Sequence, residues 1–295
     1  MLILKTVAHE TVWGGERLLP YSDRSAGKIG HLYSLCCEEG METTIRNGPC
    51  QGQAFGTWFL EHREQFGLGC YEEFPLVIAL VEACDNLSIQ VHPDDRISGE
   101  EEGAPYGKNE SWFFLDAPEK GTIYNGCLAK DCQEVKRRLE AGELMSVVDE
   151  LPVDAGDYVY VEAGIMHALT AGAFLYEIEE NSPWTYRLYD YDRVDGNGNK
   201  RELHVDKALK ALKPWLKSKA VRMGEECREE RRYLLRKLEN MSEYVNESLT
   251  LECVTLLEGS YEAEGQTVTV GTTVVLMPGE KIEGRLVLAM VARPK

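Results

Sequence analysis

Polar and apolar residues alternate along several stretches of this chain, most clearly over 87–92. The segment reads Leu-Ser-Ile-Gln-Val-His, so aliphatic and polar side chains take successive positions. A period of two is typical of a β-strand with one apolar face, and it places Gln90 and His92 together on the polar face. Pro93 cannot donate a hydrogen bond to a neighbouring strand, so we expect the strand to end at His92.

The same patterns predict further strands and a smaller number of helices. An almost continuous apolar run over 74–83 predicts a buried strand. Other strands are predicted over 31–37, 41–46, 107–115, 151–161, 163–169 and 173–178. Apolar residues at helical spacing predict helices over 56–66, 131–148 and 203–215. The segment 96–106 is rich in Gly and Glu without periodicity, which predicts a loop, and 195–199 predicts a turn.

The C-terminal part of the chain has a different pattern. Charged residues are dense over 221–240, which predicts a linker or an edge strand. Short β-prone runs then occupy 249–257, 266–270, 272–277 and 285–291, with turn residues between them. They predict a second, small β-sandwich. Because this part contains no histidine, we expect no imidazole metal site in it.

Composition narrows the class of protein. Of 295 residues, 43% are hydrophobic, which is enough for a buried core. No apolar run approaches the roughly 20 residues of a membrane span, and the N-terminus has no signal-like segment, so we expect a cytoplasmic protein. The nine cysteines are scattered without a Cys-x-x-Cys pair, which favours reduced thiols over disulfides or a thiolate zinc site.

The charge of the chain restricts its partners. A formal charge of −18 argues against general binding to nucleic acids or anionic membranes, because the long-range field repels polyanions. An anionic small molecule would therefore have to meet a local group of Lys and Arg side chains.

Four polar side chains in β contexts can supply metal ligands, namely Gln90, His92, Glu110 and His167. Neutral imidazoles and a carboxylate suit Zn²⁺, and so few strong ligands leave a coordination position open for water or substrate. The same mixed donors could hold Fe²⁺ for oxygen chemistry. A polar strand face with a solvated histidine is the structural alternative. The residues thus indicate a catalytic metal site without fixing the metal.

Five motifs in a fixed order connect these residues to a known family. They are Phe-Pro-Leu at 74–76, Leu-Ser-Ile-Gln-Val-His-Pro-Asp-Asp at 87–95, Gly-Lys-Asn-Glu-Ser-Trp at 107–112, Ala-Gly-Ile-Met-His-Ala at 163–168 and Thr-Tyr-Arg-Leu-Tyr-Asp-Tyr-Asp-Arg at 185–193. Together they resemble type I mannose-6-phosphate isomerases of the short bacterial form, which belong to the cupin superfamily. The resemblance extends from Trp-Gly-Gly at 13–15 through 203–208 and, more weakly, over the C-terminal part.

The resemblance implies an all-β-dominated fold, with cupin-type jelly-roll β-barrels in two β domains and a few helices. We expect a metal-binding catalytic domain with helical insertions at 1–220 and a small C-terminal β-sandwich, cupin-like but without a metal site, at 221–295. We also expect a monomer or a homodimer.

The resemblance also implies roles for individual residues. The ligands of one Zn²⁺ per chain would be Gln90, His92, Glu110 and His167. Arg187 matches the family's active-site arginine, Lys108 a pocket lysine, and Glu177 a carboxylate considered for proton transfer. The reaction would interconvert mannose 6-phosphate and fructose 6-phosphate through a cis-enediol, with one base serving both C1 and C2.

Some residues depart from the family pattern. Ala79 stands where the family usually has Lys, and Gly-His-Leu-Tyr at 30–33 replaces a Gly-Glu-x-Trp segment, so that His31 and Tyr33 take the places of an acid and a Trp. Glu162 replaces a common Pro, and the Glu pair at 179–180 replaces a Gln pair. These changes leave the ligand set intact and alter its surroundings.

The departures keep other functions open. A non-catalytic or altered-specificity sugar-phosphate-binding cupin is one alternative. An iron-dependent cupin oxygenase is another, but it gives no reason for Arg187 and Lys108. For Arg187, the structural alternative is an ion pair with Glu177, Glu179 or Asp190.

Overall fold

The structure is a computed structural model that describes residues 1–194 and 198–295. These residues are 42% strand and 15% helix, so the β-dominated fold class is confirmed. The strands are β1 (Leu2–Lys5), β2 (Val7–Gly15), β3 (Ile29–Leu35), β4 (Thr44–Ile45), β5 (Leu76–Glu82), β6 (Ile89–Val91), β7 (Glu110–Asp116), β8 (Thr122–Cys127), β9 (Val148–Pro152), β10 (Asp157–Val161), β11 (His167–Ala168), β12 (Phe174–Glu180), β13 (Tyr186–Tyr189), β14 (Ala220–Arg222), β15 (Arg228–Glu229), β16 (Tyr233–Val245), β17 (Glu252–Ala263), β18 (Gln266–Val268), β19 (Thr273–Leu276) and β20 (Lys281–Pro294). The helices are α1 (Phe55–His62), α2 (Asp95–Glu102), α3 (Cys132–Glu140) and α4 (Val205–Ala211).

Backbone contacts divide the chain into two compact units. The terminal unit comprises 1–10, 16–80 and 223–295, and the central unit comprises 11–15 and 81–222. The domain boundary expected after residue 220 lies near the end of the central unit, whereas most of the first eighty residues group with the C-terminal part. The assignment of a metal-binding domain to 1–220 and of a separate sandwich to 221–295 stays a prediction.

The terminal unit contains a large antiparallel sheet with the strand order β15-β16-β20-β17-β19-β1-β4, and β18 pairs with β17. The strands β17 to β20 confirm the four predicted β-prone runs. The edge strand expected over 221–240 is present, because β14 and β15 each stand at the end of a strand order. The longer strand β16 pairs with β15 at two residues and with β20 along most of its length. Its charged side chains occupy the solvent-facing positions of a strand that also buries Tyr233, Leu235 and Leu238.

The central unit contains two antiparallel groups of strands. One has the order β14-β10-β7-β12, and the other has the order β13-β6-β11-β8-β9. The aliphatic face of β6 joins an apolar core with helices α3 and α4, to which Ile89, Val91, Val135 and Ala208 contribute. Burial of this face against the helices directs Gln90 to the opposite face of β6.

The prediction of a loop over 96–106 is wrong for its first part, because helix α2 continues to Glu102. The side chain of Asp94 accepts a hydrogen bond from the backbone N–H of Ile97 and so caps the helix, which ends before Gly103 at a φ of 67°. Two lysines of α4 form ion pairs with its last turn, Lys207 with Glu102 at 2.7 Å and Lys210 with Glu101 at 2.6 Å. These distant partners stabilise a helix that has little apolar periodicity of its own.

The three predicted helices exist but are shorter than their patterns. Helix α3 stops at Glu140, and Gly142 takes a φ of 72° beyond it. Helix α4 ends at Ala211, since Pro214 disfavours helical backbone in the residue before it. The predicted turn over 195–199 lies in part outside the described residues. No helix in the described part of the chain is long and apolar enough to cross a bilayer.

Candidate metal centre

Strand pairing in the central unit brings the predicted ligands together. Gln90 lies in the middle of β6, and His167 is the first residue of β11, which pairs with β6 so that the two residues are directly opposite. His92 follows β6, and Glu110 is the first residue of β7. The side-chain nitrogens Nε2 of Gln90 and Nε2 of His167 are 3.4 Å apart.

The two imidazoles and the carboxylate form a compact, buried cluster. Nε2 of His92 lies 3.1 Å from Oε2 of Glu110, and Nε2 of His167 lies 3.2 Å from Oε1 of the same residue. The imidazole rings are 4.8 Å apart between centroids. All three side chains are at most 2% exposed. The predicted constellation is therefore assembled in space, with Gln90 beside it.

Backbone carbonyls orient both imidazoles. Nδ1 of His92 is 3.0 Å from the carbonyl oxygen of Trp184, and Nδ1 of His167 is 2.8 Å from that of Ile165. A carbonyl oxygen can only accept, so each Nδ1 carries the proton and donates it. In a neutral ring Nε2 then presents a lone pair, and both Nε2 atoms lie within 3.2 Å of an oxygen of Glu110.

Electrostatics keep these rings neutral. Burial lowers the pKa of His92 to about 3, and the charge of Lys108 adds to the effect. Burial lowers the pKa of His167 to about 4, although Glu110 opposes this shift. Both rings are therefore neutral at physiological pH, which is the state that binds a metal ion.

The cluster has the chemistry of a cation site. A carboxylate and two Nε2 atoms with lone pairs are all acceptors, and they repel one another at these distances unless a positive charge lies among them. Oε1 of Glu110 accordingly is buried without a hydrogen-bond donor. Two imidazole nitrogens and a carboxylate oxygen are a donor set that fits Zn²⁺. Gln90 presents its Nε2 to His167 while its Oε1 accepts from Ser88 at 3.2 Å, so its amide would have to turn to add an oxygen ligand.

Lowering the pH should destabilise the metal-free protein. The pKa values of His92 and His167 are about 3 and about 4 in the folded chain, against 6.5 for an unperturbed histidine. The unfolded chain therefore takes up protons below pH 6.5 while the folded chain does not, so this stability is present above that pH and is lost as the pH falls. We expect a loss of about 1.4 kcal/mol per histidine for each pH unit in this window.

Urea unfolding of the metal-free protein at a series of pH values measures this loss. The double variant His92→Gln/His167→Gln is the control, because it removes both imidazoles and leaves the other titratable groups in place. Between about pH 7.5 and 5.5 the parent should lose about 2.5 kcal/mol more than the double variant. Parallel pH dependences of the two proteins would contradict the assignment of neutral buried rings.

Glu177 lies next to the cluster on β12. It is paired in register with Trp112 of β7, and the indole Nε1–H of Trp112 donates to its Oε1 at 2.8 Å. Burial, followed by the negative charges of Glu179 and Glu110, raises the pKa of Glu177 well above its usual value. Oxygen atoms of Glu110, Glu177 and Glu179 lie within 4.8 Å of one another. The site thus contains a carboxyl group whose proton affinity is increased by its surroundings.

Lys108 lies close to the cluster and forms an ion pair with Glu179. Its Nζ lies 2.9 Å from Oε2 of Glu179, and the two side chains are only 7% and 14% exposed. Glu179 is paired in register with Glu110, so the ion pair lies directly beside a predicted ligand. The predicted pocket lysine is therefore present with its charge largely balanced.

Arg187 approaches the site from β13, where it is paired in register with Gln90. Among the described residues, no carboxylate forms an ion pair with its guanidinium, and its Nε is buried without a hydrogen-bond partner. Asp190 binds Arg193 and Arg201 instead. The ion pair considered as the structural alternative for Arg187 is therefore not formed, and its guanidinium is available to an anion.

Sequence reasoning missed several residues that shape this site. The carbonyls of Ile165 and Trp184 set the imidazole tautomers, and no side-chain pattern marks a backbone carbonyl. Glu180 is fully buried and accepts from the side-chain amide of Asn109 at 2.9 Å. The acidic run at 177–180 is visible in the sequence, and buried carboxylates in a strand need polar partners, but the pattern does not identify Asn109 as the partner. Trp112 belongs to the motif at 107–112 and lies two residues after Glu110, on the same face of the strand.

The departures from the family pattern have simple structural outcomes. Ala79 is a buried residue of β5, at 1% exposure. His31 and Tyr33 stack on each other with ring centroids 5.4 Å apart, and His9 stacks on both. Glu162 is exposed.

Comparisons with known proteins give a consistent result. The chain is 35% identical over 213 residues to the mannose-6-phosphate isomerase of Streptococcus mutans, covering 72% of this chain and 67% of that protein. It is 32% identical over 212 residues to a mannose-6-phosphate isomerase of Bacillus subtilis, covering 72% and 67%. No protein-family model matches the chain.

Solved structures extend the likeness over the whole chain. The crystal structure of a mannose 6-phosphate isomerase from Bacillus subtilis superposes with a TM-score of 0.86 at 29% identity, covering 99% of both chains. This confirms the predicted cupin-type fold. A zinc-bound mannose 6-phosphate isomerase shares the fold, with a TM-score of 0.64 at 13% identity over 100% of this chain and 97% of that one.

Proposed function

We propose, from the premise that this chain belongs to the mannose-6-phosphate isomerase family, that it interconverts mannose 6-phosphate and fructose 6-phosphate. The observation that carries the proposal is the buried cluster of His92, Glu110 and His167, in which three acceptor groups face one another. These residues, with Gln90, would hold one Zn²⁺ per chain. The bound ion would act as a Lewis acid toward the oxygens of the sugar.

Glu177 is the residue that we propose for proton transfer. It would take the proton from C2 of mannose 6-phosphate and return a proton to C1, while the hydroxyl proton of O2 passes to O1, so that the reaction goes through a cis-enediol and ends at fructose 6-phosphate. Burial and the neighbouring carboxylates raise its pKa from the usual range, which brings a carboxyl group closer to the pH at which it can both accept and release a proton. The hydrogen bond from Trp112 fixes the position of the carboxyl group.

Arg187 and Lys108 supply the positive charges of the site. The planar guanidinium of Arg187 can bind two oxygens of a phosphate or of an enediolate. Lys108 contributes through its ion pair with Glu179, which offsets part of the negative charge beside Glu177. Together they would answer the need for a local positive region in a chain of charge −18.

Replacing Arg187 by alanine should lower kcat/KM by about 100-fold or more, because two charge-assisted hydrogen bonds to the substrate are lost. The metal content should stay at the parent level, since Arg187 is not one of the proposed ligands. Steady-state kinetics and metal analysis of the purified variant measure both quantities. Arg96→Ala is the matched control, because Arg96 is exposed and pairs with Glu100 on α2. An Arg187→Ala enzyme with the kinetics of the control would contradict the assignment.

The direct test of the function is a coupled isomerase assay. Zinc-loaded protein should convert fructose 6-phosphate to mannose 6-phosphate, treatment with EDTA should abolish the activity, and added zinc should restore it. Activity that persists after verified removal of metal would defeat the zinc mechanism.

The Lys108–Glu179 ion pair favours one alternative, because it leaves less positive charge for turnover of a phosphorylated substrate. This alternative is a sugar-phosphate-binding cupin without isomerase activity, and binding of fructose 6-phosphate by metal-loaded protein without conversion would reveal it. Oxygen consumption with Fe²⁺ but not Zn²⁺ would instead indicate a cupin oxygenase. The cytoplasmic location, the monomeric or homodimeric state and the absence of nucleic-acid and membrane partners stay predictions.

A further inference from the structure

We propose that Arg201 is a second anion-binding residue, which acts with Arg187 on the phosphate group of the substrate. The inference rests on the proposed function for the identity of the substrate, but not for the existence of an anion site. It concerns two segments of the central unit, 187–190 and 201–204, each of which contains one of these arginines.

Hydrogen bonds connect these segments at both ends. At one end, the backbone N–H of His204 donates to the carbonyl of Arg187 at 2.8 Å, and the backbone N–H of Arg187 donates to Nδ1 of His204 at 3.3 Å. At the other end, Nε and Nη2 of Arg201 donate to the two carboxylate oxygens of Asp190 at 2.8 and 2.6 Å. The backbones of Arg187 and Arg201 are therefore held in one small region.

One of the arginines in this region has no carboxylate partner among the described residues. Asp190, at 5% exposure, is the carboxylate shared by Arg201 and Arg193. Arg187 contributes a third guanidinium without a carboxylate of its own among the described residues. Burial, followed by the positive charge of Arg201, lowers the pKa of Arg187, which is the effect of two cations at close range. Asp190 and Glu202 oppose this shift, but among the described residues neither forms an ion pair with Arg187.

Arg193 and Arg201 differ in how many of their guanidinium nitrogens already donate hydrogen bonds. Nη1 of Arg193 donates to the carbonyl of Asn86 at 2.5 Å, and its Nη2 donates to Asp190 at 2.5 Å. Arg201 is bound to Asp190 along one edge only, and within the described part of the chain its Nη1 has no acceptor. The side chain of Arg201 is 29% exposed and that of Arg193 is 14% exposed. Arg201 can therefore reach an incoming anion while Asp190 keeps its orientation fixed.

A phosphate group is the anion that this arrangement fits. It carries up to two negative charges and several acceptor oxygens, so one oxygen can bind Arg187 and another can bind the remaining edge of Arg201. Lys108 is already balanced by Glu179, which leaves the arginines as the principal source of positive charge for the phosphate.

Binding of inorganic phosphate to the metal-loaded protein, measured by calorimetry, tests the inference without requiring turnover. Arg201→Gln should raise the dissociation constant about tenfold or more, as expected for one charge-assisted hydrogen bond, and Arg201→Lys should raise it less because charge is kept and the fork is lost. Lys200→Gln is the matched control. It removes the same charge one residue away, from a side chain that is 63% exposed and paired with Asp192, and should change the constant less than twofold, as an exposed pair contributes little.

The outcomes separate this inference from the proposed function. An increase confined to the Arg201 variants, in folded protein with unchanged metal content, supports the inference even if no isomerase activity is found. If Arg201→Gln does not fold, the result for Arg201→Lys decides. Three binding results would each overturn the inference: a dissociation constant within twofold of the parent in the folded Arg201 variants, an equal increase in Lys200→Gln, or no phosphate binding by the parent. Isomerase activity of the Arg201 variants with an unchanged KM would also overturn it, while the proposed function stands.

Discussion

Replacing His167 by alanine is expected to remove the bound metal and to lower kcat/KM by about 1,000-fold or more, because the loss of Lewis-acid stabilisation costs several kcal/mol in the transition state. His167 contributes one of the two Nε2 atoms that face Glu110, and its ring position is fixed by the carbonyl of Ile165. Alanine offers no ligand atom, which leaves one imidazole and one carboxylate with only the weaker amide ligand of Gln90 to bind a divalent ion. Metal analysis and the coupled assay, made on the same preparation, measure both effects.

The control for this variant is His62→Ala. His62 stacks on Trp58 at 4.4 Å in helix α1 and has no part in the cluster, so its loss removes an imidazole without removing a ligand. Circular dichroism and a thermal unfolding midpoint verify that both variants are folded. One metal ion per chain together with parent-level activity in His167→Ala would refute the ligand assignment.

Replacing Glu177 by glutamine is expected to lower kcat by about 100- to 10,000-fold, the range that general acid–base catalysis contributes. Glutamine has almost the same shape and still offers an oxygen to the Nε1–H of Trp112, so the geometry of the site should be kept. It cannot accept and release a proton at the substrate carbon. The metal content should remain at the parent level, which distinguishes this variant from His167→Ala.

A second glutamate of the same strand provides the matched control. Glu180 is also fully buried in β12, and it accepts from the side-chain amide of Asn109 at 2.9 Å. Glutamine can still accept there, so kcat of Glu180→Gln should stay near the parent value. Single-turnover measurements in both variants separate proton transfer from product release. Similar kcat values for the two variants would argue against Glu177 as the proton-transfer residue.

The sequence predicts the parts of this site that depend on strand periodicity. The alternation over 87–92 predicts that Gln90 and His92 lie on the same side of the chain. Gln90 lies in β6 opposite His167, and His92, which follows β6, has its Nε2 3.1 Å from Glu110. The periodicity alone does not predict that Glu110 and His167 lie close together, because their distance depends on which strands pair and in which register. The resemblance supplied this information through the order of the motifs.

Features held by distant contacts were beyond the reach of the pattern. Helix α2 was predicted as a loop because its stabilising partners, the lysines of α4, lie about a hundred residues away. The partner of Lys108 and the missing partner of Arg187 are likewise properties of the folded chain. A list of charged residues does not tell which of them neutralise one another.

The proposed metal centre requires that one cation holds three buried acceptor groups together. Crystals of the zinc-loaded protein, measured on both sides of the zinc absorption edge, test this directly. We predict one anomalous peak per chain at roughly 2.0–2.2 Å from Nε2 of His92, Nε2 of His167 and a carboxylate oxygen of Glu110. No peak among these atoms, or a zinc ion bound elsewhere in an active enzyme, would contradict the account.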